Sequence, residues 1–354
     1  MPSNAYARFC AGLPKAELHL HIEGTLSPTQ RLRLARRNGI QSRHASVSEL
    51  EAARNFGAAG TPQADLKEML DYYYEGIEVL RTEDDFFEIT HDYLRQCQAE
   101  NIRYAEISFD PQAHTARGLP FAMVIQGLHR GIVAGWADFG VRAQLVMCIH
   151  RDRSVESALE TLQSAEPFRA WIVGLGLDSQ EQGNPPIKFK AVFERARAQG
   201  YRLTAHCDVD QQDSVEHIWQ CIDELAVERI DHGINCIEDA DLVQALKSRQ
   251  ICLTACPTWR QRDPGPRRVD RMRIMFDLGL RVTMNSDDPG VMASGSLGRL
   301  MPLAGEAGGF SATEMAQLSI HAFEGAWLPA QDRRAYVDEV ALYLRQWMYG
   351  GAPS

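Results

Sequence analysis

No uninterrupted apolar run in this 354-residue chain approaches the roughly 20 residues that span a bilayer. The N-terminus lacks a basic segment leading into an apolar stretch, so no signal peptide is expected. Cys-x-x-Cys pairs are absent. The eight cysteines, at 10, 97, 148, 207, 221, 236, 252 and 256, have no spacing that reads as a disulfide framework. Cys148, Cys207, Cys252 and Cys256 sit in apolar, strand-like runs, where buried free thiols are expected, and a reducing cytoplasm fits that usage. Positive charge is scarce. A formal net charge of -10 argues against non-specific binding to nucleic acid or to an anionic membrane. The one dense basic cluster, Arg260, Arg262, Arg267, Arg268, Arg271 and Arg273, is interrupted by acidic residues and prolines and reads as a solvated loop. Internal repeats, low-complexity tracts and linkers are missing too, which leaves no internal domain boundary.

What is present is a repeated alternation. Hydrophobic residues make up 45% of the chain and charged residues 24%, the balance of a globular protein. Short β-rich apolar runs occur at 16–22, 102–109, 141–149, 171–177, 201–207, 229–234, 251–256 and 280–284. Between them lie stretches of helical periodicity at 83–100, 123–138, 155–164, 188–199, 214–226, 239–248 and 269–277. Strands alternating with helices predict parallel strands joined by crossover helices. Eight such units predict a closed (β/α)8 TIM barrel, one domain over residues 1–354. Two additions are expected: a long insertion at 27–74, helical around 28–38 and 66–74, and a helical tail at 310–348. The tail carries Trp327, Tyr343 and Trp347 and should pack on the outside of the barrel.

The first strand reads Glu17-Leu-His19-Leu-His21-Ile-Glu23-Gly24. Alternate strand residues share a face, so His19 and His21 project side by side. Two neighbouring imidazoles can bind one divalent metal, although an isolated pair equally suits two separate structural roles. In such a barrel the chemistry sits at the carboxyl ends of the strands, so the other strand ends test the pair. Strand five ends in Thr204-Ala205-His206. Strand six carries Ile230-Asp231-His232-Gly233. Strand eight ends in Asn285-Ser286-Asp287-Asp288-Pro289. Three histidines and a carboxylate, with a fourth histidine nearby, make a plausible zinc set with room for water.

Pro14-Lys-Ala-Glu-Leu-His-Leu-His, Ile230-Asp-His-Gly and Asn285-Ser-Asp-Asp-Pro resemble the adenosine/adenine deaminase family of the amidohydrolase superfamily, over about residues 13–297. The resemblance implies one zinc ion per chain, held by His19, His21, His206 and Asp287. It also implies that His232 orients or deprotonates the attacking water, and that Asp288 holds a purine ring through N7. Phe109-Asp-Pro-Gln-Ala-His114-Thr-Ala-Arg117-Gly118 and Gly176-Leu-Asp178-Ser179 are similar to segments of the adenine deaminase branch, which adds Asp178 and Ser179 to the substrate-binding candidates. Glu23 stands where nucleoside deaminases of this family usually have Asp against the ribose. The longer side chain should crowd a sugar, which favours a free base, but Glu23 could instead cap the segment that follows. The expected reaction is hydrolytic deamination at C6 of adenine or an N6-substituted adenine, giving hypoxanthine plus ammonia or an amine. Zinc would lower the pKa of water, and a nearby acid must protonate the ring nitrogen.

The chain departs from this pattern at that acid. The family has Glu in a His-Ala-Gly-Glu segment, and zinc deaminases in general use a non-ligand Glu there. Here the segment reads His206-Cys207-Asp208-Val209-Asp210, and Val209 cannot transfer a proton. Three readings stay open. Asp210 or Asp208 replaces the Glu, a different donor serves a different leaving group such as an alkylamine, or the chain binds a purine without efficient turnover. Loss of one such donor can lower a rate on the order of 10²–10³. Trp259, after strand seven, either lines a pocket for an N6 substituent or packs over the barrel rim. His114 and Arg117 either shape the mouth of the site or stabilise a loop. Tyr72-Tyr73-Tyr74 either forms a lid over a planar base or packs into the core. The expected partner is a small-molecule purine, with neither nucleic acid nor membrane involved; homo-oligomerisation stays open. A purine-binding pseudoenzyme, an adenosine deaminase and a metal hydrolase for another substrate class are the alternatives.

Overall fold

A computed structural model of the chain describes residues 4–54, 56, 62–207, 211–258 and 268–350. Eight parallel strands pair in sequence order: β1 (Lys15–His21), β2 (Ile102–Phe109), β3 (Arg142–His150), β4 (Ile172–Asp178), β5 (Arg202–Cys207), β6 (Arg229–His232), β7 (Cys252–Ala255) and β8 (Arg281–Met284). The ring closes just past β8. There the Asp287 amide donates to the His19 carbonyl at 3.2 Å and the His21 amide donates to the Asp287 carbonyl at 3.0 Å. The architecture is the expected (β/α)8 barrel. Strands covered on both faces read as near-continuous apolar runs, and every residue of β1 is buried.

The crossover helices fall within a few residues of the predicted segments because their starts carry local signals. The Glu83–Ala99 helix begins with a capping box in which Thr82 and Asp85 bond each other's backbone amides. Strands β5 to β8 are each a residue or two shorter than their apolar runs. Expected to reach 234, β6 stops at His232 because His232 and Gly233 take φ of 63° and 67°, a left-handed geometry that cannot continue a strand.

The insertion after β1 holds helices Pro28–Arg37, Val47–Ala53 and Pro62–Ile77; the tail holds Ala312–Gly325 and Ala330–Gly350. Helices Asn4–Gly12, Val47–Ala53 and Leu297–Ala307 lie where the sequence reading placed none. The last contains Gly298, Pro302 and Gly305, all poor helix formers, and is held by buried Leu297, Leu300, Met301 and Ala304. In the tail, Tyr343 and Trp347 stack around Phe9 of the first helix, with centroids at 5.5 and 5.3 Å. Trp327 instead reaches the amino end of the barrel, against Gly174 and the guanidinium of Arg229. All eight cysteines are buried and free. Among the described residues, no helix is long and apolar enough to cross a membrane.

Candidate metal and substrate site

At the carboxyl ends of the strands, His19 and His21 from β1, His206 from β5 and Asp287 after β8 converge. One ligand-type atom from each lies within 4.8 Å of the others, and all four residues are buried. The two Nε2 atoms of His21 and His206 are 3.1 Å apart. His19 Nε2 lies 3.4 Å and His21 Nε2 3.8 Å from Asp287 Oδ1.

Backbone carbonyls behind the rings decide which nitrogens carry hydrogen. His19 Nδ1 faces the Thr254 carbonyl at 3.0 Å, and His206 Nδ1 faces the Leu177 carbonyl at 3.1 Å. A carbonyl only accepts, so both Nδ1 atoms donate and both Nε2 atoms turn inward; burial opposes charge on His19, but Asp287 and Asp231 raise it to about 9, and its Nε2 becomes a ligand once a metal displaces that proton. Among the described residues, buried His19 Nε2 has no hydrogen-bond partner. A donor set of imidazole nitrogens and one carboxylate, with ring orientation fixed from behind, fits a divalent metal. Beneath it, the Thr204 and Thr254 hydroxyls each donate to one oxygen of Asp231 at 2.7 Å. Burial by itself would raise the Asp231 carboxyl, but His19, His206 and Arg229 hold it far below the usual range.

The same contrast runs around the cluster. Burial opposes the charge on Asp287, yet the adjacent imidazoles, His19 foremost, hold it ionised. Asp288 goes the other way: burial and the neighbouring Asp287 charge push its carboxyl well above the usual carboxylate range. His232 Nε2 sits 3.7 Å from Asp287 Oδ2. Burial, reinforced by His19, pushes His232 down to about 3, so it is neutral. His232, Asp287 and Ser179 all have left-handed φ, between 63° and 71°. Such strained non-glycine residues cost on the order of 1–3 kcal/mol each and concentrate at functional sites.

A cavity opens over the cluster. His21, His206, His232, Asp287, Asp288, Asp178 and Ser179 line it, so these predicted site residues are brought together. Leu66, Met69, Leu70, Tyr73 and Tyr74 cover it from the Pro62–Ile77 helix. The tyrosine triplet therefore divides. The Tyr73 hydroxyl donates to Asp110 Oδ2 at 3.0 Å, and Tyr74 pairs with the Ser179 hydroxyl at 2.9 Å. Tyr72 faces away, under the Arg31 guanidinium and beside Phe56.

Glu23 does not line the cavity. Its Oε1 accepts from the Asp110 amide at 3.1 Å and faces His114 Nε2 at 2.8 Å. Arg117 donates to His114 Nδ1 at 2.6 Å. A guanidinium only donates, so Nδ1 is the acceptor, and Nε2 carries the hydrogen given to Glu23. His114 and Arg117 thus stabilise the loop and hold Glu23. Asp208, Asp210, Val209 and Trp259 lie outside the described residues.

Asp110 was missed as a site residue, although it follows β2 directly, where the strand-end rule would have found it. It lies 3.8 Å from His21 Nδ1, and Asp178 lies 3.6 Å from the same nitrogen. Burial raises both carboxyls. The neighbouring Asp110 charge pushes Asp178 further up, while His150 and His21 draw Asp110 well below the usual carboxylate range. Met292 and Arg268, also on the cavity wall, carried no signal in sequence.

Fold and site together define a (β/α)8 barrel whose strand ends carry a metal-type cluster under a helical cover. The chain belongs to the adenosine deaminase family: the family model matches residues 14–343. This is a family of hydrolases acting on carbon–nitrogen bonds other than peptide bonds. An uncharacterized deaminase of Schizosaccharomyces pombe is 43% identical over 331 residues, 94% of this chain and 96% of that one. An adenine deaminase of Hahella chejuensis is 40% identical, covering 95% and 98%. Among solved structures, the adenine deaminase of Arthrobacter aurescens superposes with a TM-score of 0.85 at 36% identity, covering 94% and 99%. An amidohydrolase of Burkholderia ambifaria, solved with bound zinc, gives 0.87 at 25% identity, covering 98% and 96%.

Proposed function

We propose that this protein is a zinc-dependent deaminase of a free purine base, adenine or an N6-substituted adenine, releasing hypoxanthine and ammonia or an amine. The observation that carries the proposal is the set of three imidazoles and Asp287 at the base of a covered cavity, with Asp288 on its wall. Its full-length likeness to adenine deaminases agrees.

In this reading His19, His21, His206 and Asp287 hold one zinc ion, whose imidazole and carboxylate donors are those zinc prefers. When bound, the metal supplies Lewis acidity that brings the pKa of water toward neutrality. Neutral His232, beside Asp287, takes the water proton and passes it to the departing amine. Asp288 donates its carboxyl hydrogen to purine N7, an acceptor. Asp210 or Asp208 protonates the ring nitrogen next to C6, where negative charge develops. The cover from the Pro62–Ile77 helix lies over the flat ring and keeps water out. Asp178 and Ser179 fix the ring edge. Glu23, held by His114, accepts from the Asp110 amide behind the cavity wall, so the free-base reading leans on the likeness to adenine deaminases and not on Glu23. The protein acts in the cytoplasm as a single-domain enzyme of purine metabolism.

The test is an ultraviolet assay of the zinc-loaded protein against adenine, adenosine, N6-methyladenine and N6-isopentenyladenine. Turnover of at least one free base, with adenosine poor, is expected; turnover of adenosine alone refutes the free-base reading. Asp210→Asn or Asp208→Asn should lower turnover about a hundredfold or more, the scale of a general acid. Wild-type rates for both would remove these residues from the mechanism. Tight purine binding without turnover would favour the pseudoenzyme, which Val209 at the position of the family acid keeps in view.

A further inference from the structure

We infer that the site has a second, inhibitory divalent-metal position, formed by His232, Cys256 and the outer oxygen of Asp287. The inference rests on the metal reading above. Two four-donor sets overlap here: His19, His21, His206 and Asp287, and His19, His232, Cys256 and Asp287, each with ligand atoms mutually within 4.8 Å. Asp287 divides its oxygens between them. Oδ1 faces His19 and His21 at 3.4 and 3.8 Å, and Oδ2 faces His232 at 3.7 Å. A carboxylate so placed can bridge two ions, which in two-metal sites stand about 3.5–4 Å apart.

Cys256 has no part in the proposed reaction. It is buried one residue past β7, and among the described residues its thiol makes a long contact to the Thr254 carbonyl at 3.8 Å. Thiolate and imidazole together favour zinc and softer ions, and a coordinated thiol is deprotonated outright. On binding, the Cys256 S–H proton passes to solvent and a sulfur–metal bond forms. His19 is already committed to the first ion, so three protein donors remain for the second. Arg268, on the cavity wall, repels it. The second position is therefore the weaker one and fills when metal is in excess. Filling it occupies the His232 Nε2 lone pair, which the reaction needs for the water proton.

The experiment is a cobalt(II) titration of the metal-free protein, following metal per chain, visible and near-ultraviolet absorption, and turnover of the best purine from the assay above. The first equivalent should switch on activity without a thiolate-to-cobalt charge-transfer band. The second should bring that band and cut turnover at least about tenfold, as loss of a general base would. Cys256→Ala and Cys256→Ser should keep the first equivalent and its activity while losing both band and inhibition. Binding that stops at one equivalent, a second equivalent without the band, or inhibition that survives both substitutions overturns the inference and leaves the first site standing. A thiolate band from the first equivalent overturns both.

Discussion

Gly24 sits where no side chain fits. A Cβ built there would lie 1.9 Å from Asp288 Oδ1 and 2.9 Å from the Asp288 Cα, so even alanine must push the carboxyl away from its place on the cavity wall. The proposed role of Asp288 in holding N7 then makes Gly24→Ala a binding defect. KM for the purine base should rise on the order of tenfold, about 1.4 kcal/mol of lost hydrogen bonding. Metal content should stay at the wild-type level, because Gly24 touches none of the four proposed ligands. Steady-state kinetics with metal analysis decides it; unchanged KM would exclude Asp288 from recognition. At this scale the sequence was most legible for residues at strand ends. A strand alternates its side chains and ends at a known face of the barrel, so His19, His21, His206, His232 and Asp287 could be placed by counting. Contacts that join distant segments left no such trace. Nothing local pairs Glu23 with His114, 91 positions away.

Elements are tied together by groups whose burial leaves a signature in pH. Lys15, at the start of β1, donates to the Leu13 carbonyl at 2.8 Å, the Ala11 carbonyl at 3.2 Å and the Glu100 carbonyl at 2.7 Å. It thereby pins the ends of the Asn4–Gly12 and Glu83–Ala99 helices to the barrel, with a cation at both C-termini. Burial pushes its amine down to about 8 from 10.5. Between those values the unfolded chain holds a proton that the folded chain has lost, so this contribution to stability rises with pH. It is fully present above about 10.5 and lost as pH falls through about 8. The stability of the wild type relative to Lys15→Met should therefore increase by roughly 2–3 kcal/mol across that window, measured by denaturant melts at fixed pH. A flat or falling difference would mean that the amine titrates normally. Helix Pro62–Ile77 shows where legibility at this scale ends. Its helical character was readable, but which tyrosine faces the cavity was not, because successive helical residues turn by about 100° and only the packed neighbours decide which side is covered.

Across the whole molecule, the amino end of the barrel is crossed by one buried charge pair. Arg229 at the start of β6 reaches Glu106 of β2 at 2.5 Å. The same carboxylate accepts from the Trp327 amide at 2.6 Å and the Tyr104 hydroxyl at 2.9 Å. The Arg229 guanidinium lies 3.9 Å over the Trp327 ring. The tail is thus coupled to two strands on different sides of the barrel. Glu106→Ala leaves the buried guanidinium with Asp231 Oδ1, 3.7 Å away, as its other carboxylate, and breaking a buried pair costs up to about 3–5 kcal/mol. The denaturant midpoint should fall accordingly; a loss under about 1 kcal/mol would mean that Arg229 finds another partner or reaches water. The chemistry, at the opposite end of the strands, should be little affected in protein that remains folded.

The sequence by itself determined the number and order of the strands, the barrel they imply, and the side chains standing at their carboxyl ends. These are consequences of local periodicity and of capping and turn signals acting over a few residues. Only the tertiary structure decided what those side chains do to one another. Ring closure through Asp287 set its carboxylate between β1 and His232; carbonyls from β4 and β7 turned the His19 and His206 rings inward; and burial and neighbouring charges shifted the Asp287 and Asp288 carboxyls in opposite directions. Such effects depend on distance and exclusion of water across segments far apart in the chain, and a linear pattern carries neither.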